Sequence, residues 1–316
     1  MMLGRKAGDL FWLSRYMERA ENMARLLDVG YRIALMPGVG EGHLEEWRST
    51  LVSAGCETGF FEKYDTLETE NVVDYMLFDR DCSSSVYNCL ATARTNARSV
   101  RTAITREMWE SLNATWLEFS GVKPGSISSN ILPGFLDWVK QRSALFRGSM
   151  LGTILRAEGY YFSQLGAFIE RADNTARILD VKYYILLPRD EAIAGGMNTY
   201  HWTTVLRSVS AHRSYRHFYH DGYKPWKIAE FLILKRQMPR SLTHCYSWIL
   251  ESLDGLDKIY GARYGCHDAA ESIMQRLDGG DMERIFQDGL HEFLQEVITR
   301  NNTLSGDISS TYHFVN

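Results

Sequence analysis

Glu170-Arg171-Ala172-Asp173-Asn174-Thr175-Ala176-Arg177-Ile178-Leu179-Asp180 is the stretch on which the reading of this chain turns. The same phrase stands earlier, as Glu18-Arg19-Ala20-Glu21-Asn22-Met23-Ala24-Arg25-Leu26-Leu27-Asp28. Eight of the eleven positions are identical, two more are conservative exchanges, and the two stretches lie 152 residues apart. At about 100° per residue, Glu18, Glu21, Asn22 and Arg25 share one helix face, with Ser14 and Arg15 above them. Leu13, Met17, Ala20, Ala24 and Leu27 take the opposite face. Glu170, Asp173, Asn174 and Arg177 stand in the same way against Leu165, Ile169, Ala172, Ala176 and Leu179. Alanines four apart on an apolar face let two helices approach closely.

A charged stripe of this kind has an ordinary explanation. Glu21 with Arg25, and Asp173 with Arg177, are i,i+4 pairs in the favourable order, each worth a few tenths of a kcal/mol on a solvated face. Repetition of the same Asn and Arg argues for more, because Asn is a poor residue inside a helix unless its amide has hydrogen bonds to make. Two readings stay open: a shared site, or a buried polar network that docks the two halves. As a site, Glu18 and Glu170 are the candidate acid/base residues. Arg19, Arg25, Arg171 and Arg177 are the candidate anion holders, with the acids orienting them. Glu21, Asn22, Asp173, Asn174 and Arg98 complete the polar network. Acid-x-x-acid pairs on facing helices also resemble the carboxylate clusters of bundle metal sites. No His stands where such a site needs one, which disfavours a transition metal and leaves Mg²⁺ open; no metal site is assigned, and the cofactor is unknown.

The bulk composition sets the class. The chain has 316 residues, 45% hydrophobic and 23% charged, with a net charge of −4. That is a globular composition with ample core and no general attraction to nucleic acid or anionic lipid. The five cysteines form no Cys-x-x-Cys pair, which fits reduced, buried thiols. No apolar run reaches membrane-span length and no signal peptide is evident, so the expected location is the cytoplasm. With only six prolines and long segments of 3.6-residue periodicity, the expected class is all-α.

In chain order, a first helix is expected from about Asp9, as its cap, to Leu35, stopped by Pro37. A helix around Trp47 follows, then a short one over Val72–Phe78, then a long one over roughly 84 to 119 and a loop over Ser120–Gly134. The second motif helix should run from about Ala157 to Leu187, stopped by Pro188, with Gly195 and Gly196 in the loop beyond. Trp202 and Leu206 echo Trp47 and Leu51. Arg236, Ser241 and Cys245 echo Arg80, Ser85 and Cys89. Landmarks in the same order at nearly constant offset point to a tandem duplication, with halves over 1–150 and 151–316 in a pseudo-two-fold relation, or one continuous domain.

Other candidates are weaker. His201, His212, His217 and His220 lie among aromatic residues, and nothing completes a metal set there. Arg94, Arg98 and Arg101 form a helical row that either turns a positive edge toward the motif helices or faces solvent. There is no Walker A loop, dinucleotide fingerprint, Gly-x-Ser-x-Gly elbow or kinase signature.

Gly8-Asp9-Leu10-Phe11-Trp12-Leu13-Ser14-Arg15-Tyr16-Met17-Glu18-Arg19-Ala20-Glu21-Asn22 resembles the opening of the bacterial alpha-E family. Ala97-Arg98-Ser99-Val100-Arg101, Glu107-Met108-Trp109-Glu110 and Ile169-Glu170-Arg171-Ala172-Asp173-Asn174 resemble it too. The resemblance implies an all-α fold. It also implies association with circularly permuted ATP-grasp ligases and transglutaminase-like proteins, and through them a role in peptide synthesis or modification. The chain departs from the family at Thr95, where the family has Glu, and at Ala167, where it has Arg. The expected function is therefore a helical accessory or scaffold component of such a system. The alternative is an enzyme with a carboxylate/arginine site between the two motif helices, acting on a peptide or anionic substrate with or without Mg²⁺.

Overall fold

The computed structural model describes residues 2–35, 42–186, 195–280 and 282–314. Among these residues it is all-helical, with no strand. The helices in order are α1 (Gly4–Ala34), α2 (Gly42–Ala54), α3 (Glu57–Phe61), α4 (Thr69–Phe78), α5 (Val86–Ser99), α6 (Arg106–Ser120) and α7 (Leu132–Thr153). They continue as α8 (Glu158–Leu186), α9 (Gly195–Ser208), α10 (His212–Phe218), α11 (Pro225–Ile233), α12 (Leu242–Tyr260), α13 (Gly265–Asp278), α14 (Met282–Asp288) and α15 (Leu290–Thr311).

The centre is α1 laid along α8, the most extensive helix contact in the molecule. The two run in the same direction, since Met2 meets Glu158, Phe11 meets Gly166 and Glu18 meets Arg171. The small face foreseen from Ala20, Ala24, Ala172 and Ala176 is fully buried. Gly166 sets the closest approach: a Cβ there would lie 2.0 Å from the Phe11 carbonyl oxygen. Around this pair the packing repeats. Helix α5 flanks α1 as α12 flanks α8, and α7 lies on α1 as α15 lies on α8. Ser85 and Ser241 cap α5 and α12 by accepting from the N–H three residues on, and Cys89 and Cys245 are buried one turn into those helices. Trp47 and Trp202 are both buried. One continuous apolar cluster runs from Ala7 to Tyr312.

Several boundaries differ from expectation. Helix α1 starts at Gly4, not at Asp9, because the first turn packs against the backbone of His313, and Leu3 enters it without a side-chain cap. The single helix expected over 84–119 is two. Helix α5 ends at Ser99, and Thr105 caps α6 by accepting from Met108 N–H. Between them, Val100, Thr102, Ile104 and Thr105 are β-branched and disfavour a continuous helix, while Val100 and Ile104 bury their side chains in the core. Gly195 and Gly196 open α9 and do not lie in a loop. The stops expected at Pro37 and Pro188 lie outside the described residues.

Candidate functional site

The charged stripe of each motif helix faces protein, not water. Glu18 is 2% exposed and Glu21 1%. A carboxylate so placed must be paired, since burying a bare charge costs far more than a fold can supply. Here the pairing crosses between helices. Arg171 of α8 donates to both oxygens of Glu18 of α1, Nε to Oε1 at 2.9 Å and Nη2 to Oε2 at 2.8 Å. Arg19 of α1 returns the contact to Glu170 of α8, Nε to Oε1 at 2.5 Å and Nη2 to Oε2 at 2.9 Å. Each Glu-Arg dipeptide thus gives its acid to one bridge and its arginine to the other. Forked guanidinium-carboxylate pairs fix orientation as well as distance.

Further arginines close the α1 side. Arg147 of α7 donates to Glu18 Oε2 at 2.8 Å and Glu21 Oε2 at 2.7 Å. Arg240, in the turn before the Ser241 cap, reaches Glu18 Oε1 at 2.9 Å, Glu21 Oε1 at 2.6 Å and Asn22 Oδ1 at 3.2 Å. Arg25 grips Glu21 Oε1 and donates onward to Ser210 Oγ at 2.7 Å. The Arg240 turn is fastened to α8, where Thr175 Oγ1 donates to the Arg240 carbonyl at 2.8 Å. On the α8 side, Arg15 donates to Glu170 Oε2 at 2.9 Å and to Ser305 Oγ of α15 at 2.9 Å, with its guanidinium over the Trp12 ring. Arg177 donates to Asp173 Oδ2 at 2.6 Å. The repeated aspartates at the motif ends, Asp28 and Asp180, also find neighbours on α7 and α15. Lys140 donates to Asp28, while His291 pairs with Asp180 and Gln295 donates to it.

Electrostatics divide the four acids. Burial pushes Glu18 up, but Arg171 and Arg240 together outweigh it and bring its pKa down to about 2. Glu21 is held well below the usual carboxylate range: burial opposes, and Arg240, Arg147 and Arg25 prevail. Glu170 is lowered in the same way by Arg19 and Arg15 against burial. Asp173 goes the other way: burial raises it by more than Arg177 lowers it. Burial also draws Arg240 down to about 10, still protonated near neutral pH.

The residues singled out in sequence therefore gather in one cluster, with one exception. Arg98 is exposed on α5, and none of its bonds joins the cluster among the described residues. Its neighbours Arg94 and Arg101 lie over the Trp109 ring, and Arg94 donates to Asn113. Of the histidines, His212 pairs with the Tyr223 hydroxyl at 2.8 Å in an aromatic cluster around Tyr215. Sequence reasoning missed Arg147 and Arg240. The signal for Arg240 was its place just ahead of Ser241, already matched to Ser85. The signal for Arg147 was a cation one turn beyond Ser143 on the buried side of α7. Ala167 lines a small space of about 20 Å³ with Glu18 and Arg147. Arg147 thus brings to Glu18, from α7, the charge that Arg15 brings to Glu170 from α1.

Glu18 and Glu21 have both oxygens engaged by guanidinium groups, and those fixed positive charges oppose a divalent cation beside them. No group of three or more His, Cys, Asp or Glu among the described residues is placed to hold a metal ion. All five cysteines are free and buried. No helix among the described residues is long and apolar enough to cross a membrane.

Fold and cluster together define an all-helical protein joined through a doubled Glu-Arg motif. The chain belongs to the Alpha-E family, described as a predicted alpha-helical domain with a conserved ER motif, which it matches over residues 2–313. No curated protein and no solved structure matches it.

Proposed function

We propose that this chain is a non-catalytic helical component of an amide-forming or peptide-modifying system. It acts in the cytoplasm beside a circularly permuted ATP-grasp-type ligase and a transglutaminase-like protein. The partners follow from what the Alpha-E resemblance implies. The non-catalytic part is supported by one observation: Glu18 and Glu170, the natural acid/base candidates, are buried under forked arginines and held ionised. A carboxylate with a strongly depressed pKa has no proton to give near neutral pH and is a poor base. The ER motif on this reading is a clamp between α1 and α8.

Affinity purification at native expression levels tests the reading. Co-purification of an ATP-grasp-type ligase is expected, and a monodisperse protein that brings down no partner would count against it. A second reading, an enzyme acting on a peptide or anionic substrate, is favoured by one observation: Asp173 has an unpaired oxygen and a raised pKa beside an open cavity. Glu170→Gln separates the two. Loss of a measured activity with an unchanged melting temperature would favour the enzyme, whereas a clamp residue should lower the melting temperature.

A further inference from the structure

The two sides of the cluster are not equally filled. On the α1 side, Arg240 occupies the place beside Glu21 and Asn22. Ser241 caps α12 as Ser85 caps α5, so the residue corresponding to Arg240 is Ser84. Where a guanidinium stands on one side, a hydroxymethyl group stands on the other, and the space left beside Asp173 and Asn174 is a cavity of about 250 Å³.

Three residues of its lining each carry a buried polar atom without a hydrogen-bond partner: Asn22 Nδ2, Asn174 Nδ2 and Asp173 Oδ1. Asn22 and Asn174 are 3% and 7% exposed. Buried polar atoms are paired in stable folds, and an orphan left in a cavity wall asks for a partner. The Asn22 amide is not free to turn, because its Oδ1 already accepts from Arg240 and its Nδ2 is committed as a donor. Arg19 and Arg177 also line the cavity. Arg19 spends two N–H groups on Glu170 and Arg177 one on Asp173, which leaves unspent donors in each five-donor fork. Their side chains are 23% and 34% exposed.

The charge on the lining balances: Arg19 and Arg177 stand against Glu170 and Asp173, as a zwitterionic or dipolar ligand requires. The vacancy therefore offers donors from two arginines and two amides, one unpartnered acceptor at Asp173, and an apolar wall at Met23 and Leu26. An inorganic anion would use the donors and leave Asp173 facing it. A basic side chain would use Asp173 and leave the donors idle. A ligand with a carboxylate, an adjacent N–H and a short aliphatic group uses all of them.

We propose that this cavity binds the carboxylate end of an amino-acid unit, either a free aliphatic α-amino acid or the C-terminal residue of a peptide. The carboxylate sits among Arg19, Arg177 and the two asparagine amides, the amine or amide N–H donates to Asp173, and the side chain lies on Met23 and Leu26. The size suits one residue; drug-sized ligands take roughly 300–1,000 Å³. The inference rests on the cavity and not on the proposed partners, so it stands or falls with the isolated protein whether or not a ligase co-purifies.

Isothermal titration of the full chain with L-valine, Gly-L-valine, L-valinamide and isovalerate tests it. Binding of L-valine or Gly-L-valine is expected, with whichever binds tighter naming the source. Valinamide lacks the carboxylate and isovalerate the amine, and each should bind at least about tenfold more weakly. Ser84→Arg restores the group found on the other side and should leave a folded, undiminished melting transition while abolishing binding. Asn174→Ala should weaken binding without removing the arginines. No heat with any of the four at millimolar concentration, equal binding of valinamide and L-valine, or unchanged binding by Ser84→Arg would each overturn the proposal.

Discussion

Arg171 reaches Glu18 with two parallel bonds of 2.9 and 2.8 Å, although 153 positions separate them in the chain. Arg19 and Glu170 repeat the arrangement in reverse. Because both partners are buried, removal of one strands the other. Arg171→Ala should cost about 3–5 kcal/mol, measured by urea denaturation. The double change Glu18→Met with Arg171→Met should cost less than the sum of the two single changes, since it strands neither charge. A strictly additive cycle would show that the pair is not coupled.

Acid should loosen the same bridges. The folded pKa of Glu18 lies below its ordinary value of 4.5, at about 2, and Glu21 and Glu170 are lowered too. A carboxylate lowered on folding contributes stability that is full above the unfolded pKa and is lost as pH falls toward the folded one. For Glu18 alone the shift corresponds to on the order of 3 kcal/mol. The denaturation midpoint should therefore fall steadily from about pH 4.5 to about pH 2, and the slope should flatten in Glu18→Gln.

Gly166 offers a separate check on the α1–α8 approach. A methyl group there would meet the Phe11 carbonyl oxygen at 2.0 Å, and a backbone atom cannot swing aside as a side-chain end can. Gly166→Ala should cost about 3 kcal/mol or more. Gly148→Ala in α7, where a Cβ would meet nothing within 4 Å, should instead gain about 0.5–1 kcal/mol from helix propensity. Equal melting temperatures for the two variants would contradict the packing described.

The matched caps should behave alike. Ser85→Ala and Ser241→Ala each remove an acceptor from the first turn of a helix that flanks the central pair, and each should cost about 1 kcal/mol. Circular dichroism melts of the two variants provide the comparison.

How much of this was legible in the sequence follows from how local each feature is. Periodicity located the motif helices and the Trp47 helix, because burial on one face leaves a period of 3.6 wherever it occurs. It failed over 84–119, where the interruption between Val100 and Thr105 is made of residues that still satisfy the apolar period. The fate of the polar stripe was not legible from its spacing. Glu21 with Arg25 reads alike whether the stripe meets water or Arg240, and Arg240 lies 219 positions from Glu21. Only the repetition of the stripe hinted that something stood against it. The cavity was invisible for a related reason, since it arises from a difference between Ser84 and Arg240 that no local pattern registers.

Arg15 of α1 closes on Ser305 of α15, 290 positions away. As the chain leaves the ribosome, α1 emerges well before α8, and Glu18 and Arg19 stay without their α8 partners until α8 appears. The Arg15 contact waits longer still, for α15. The nascent chain therefore carries a solvated charged face from the appearance of α1 until α8 and α15 have followed it. The stripe that locks the finished molecule keeps its unfinished form hydrated.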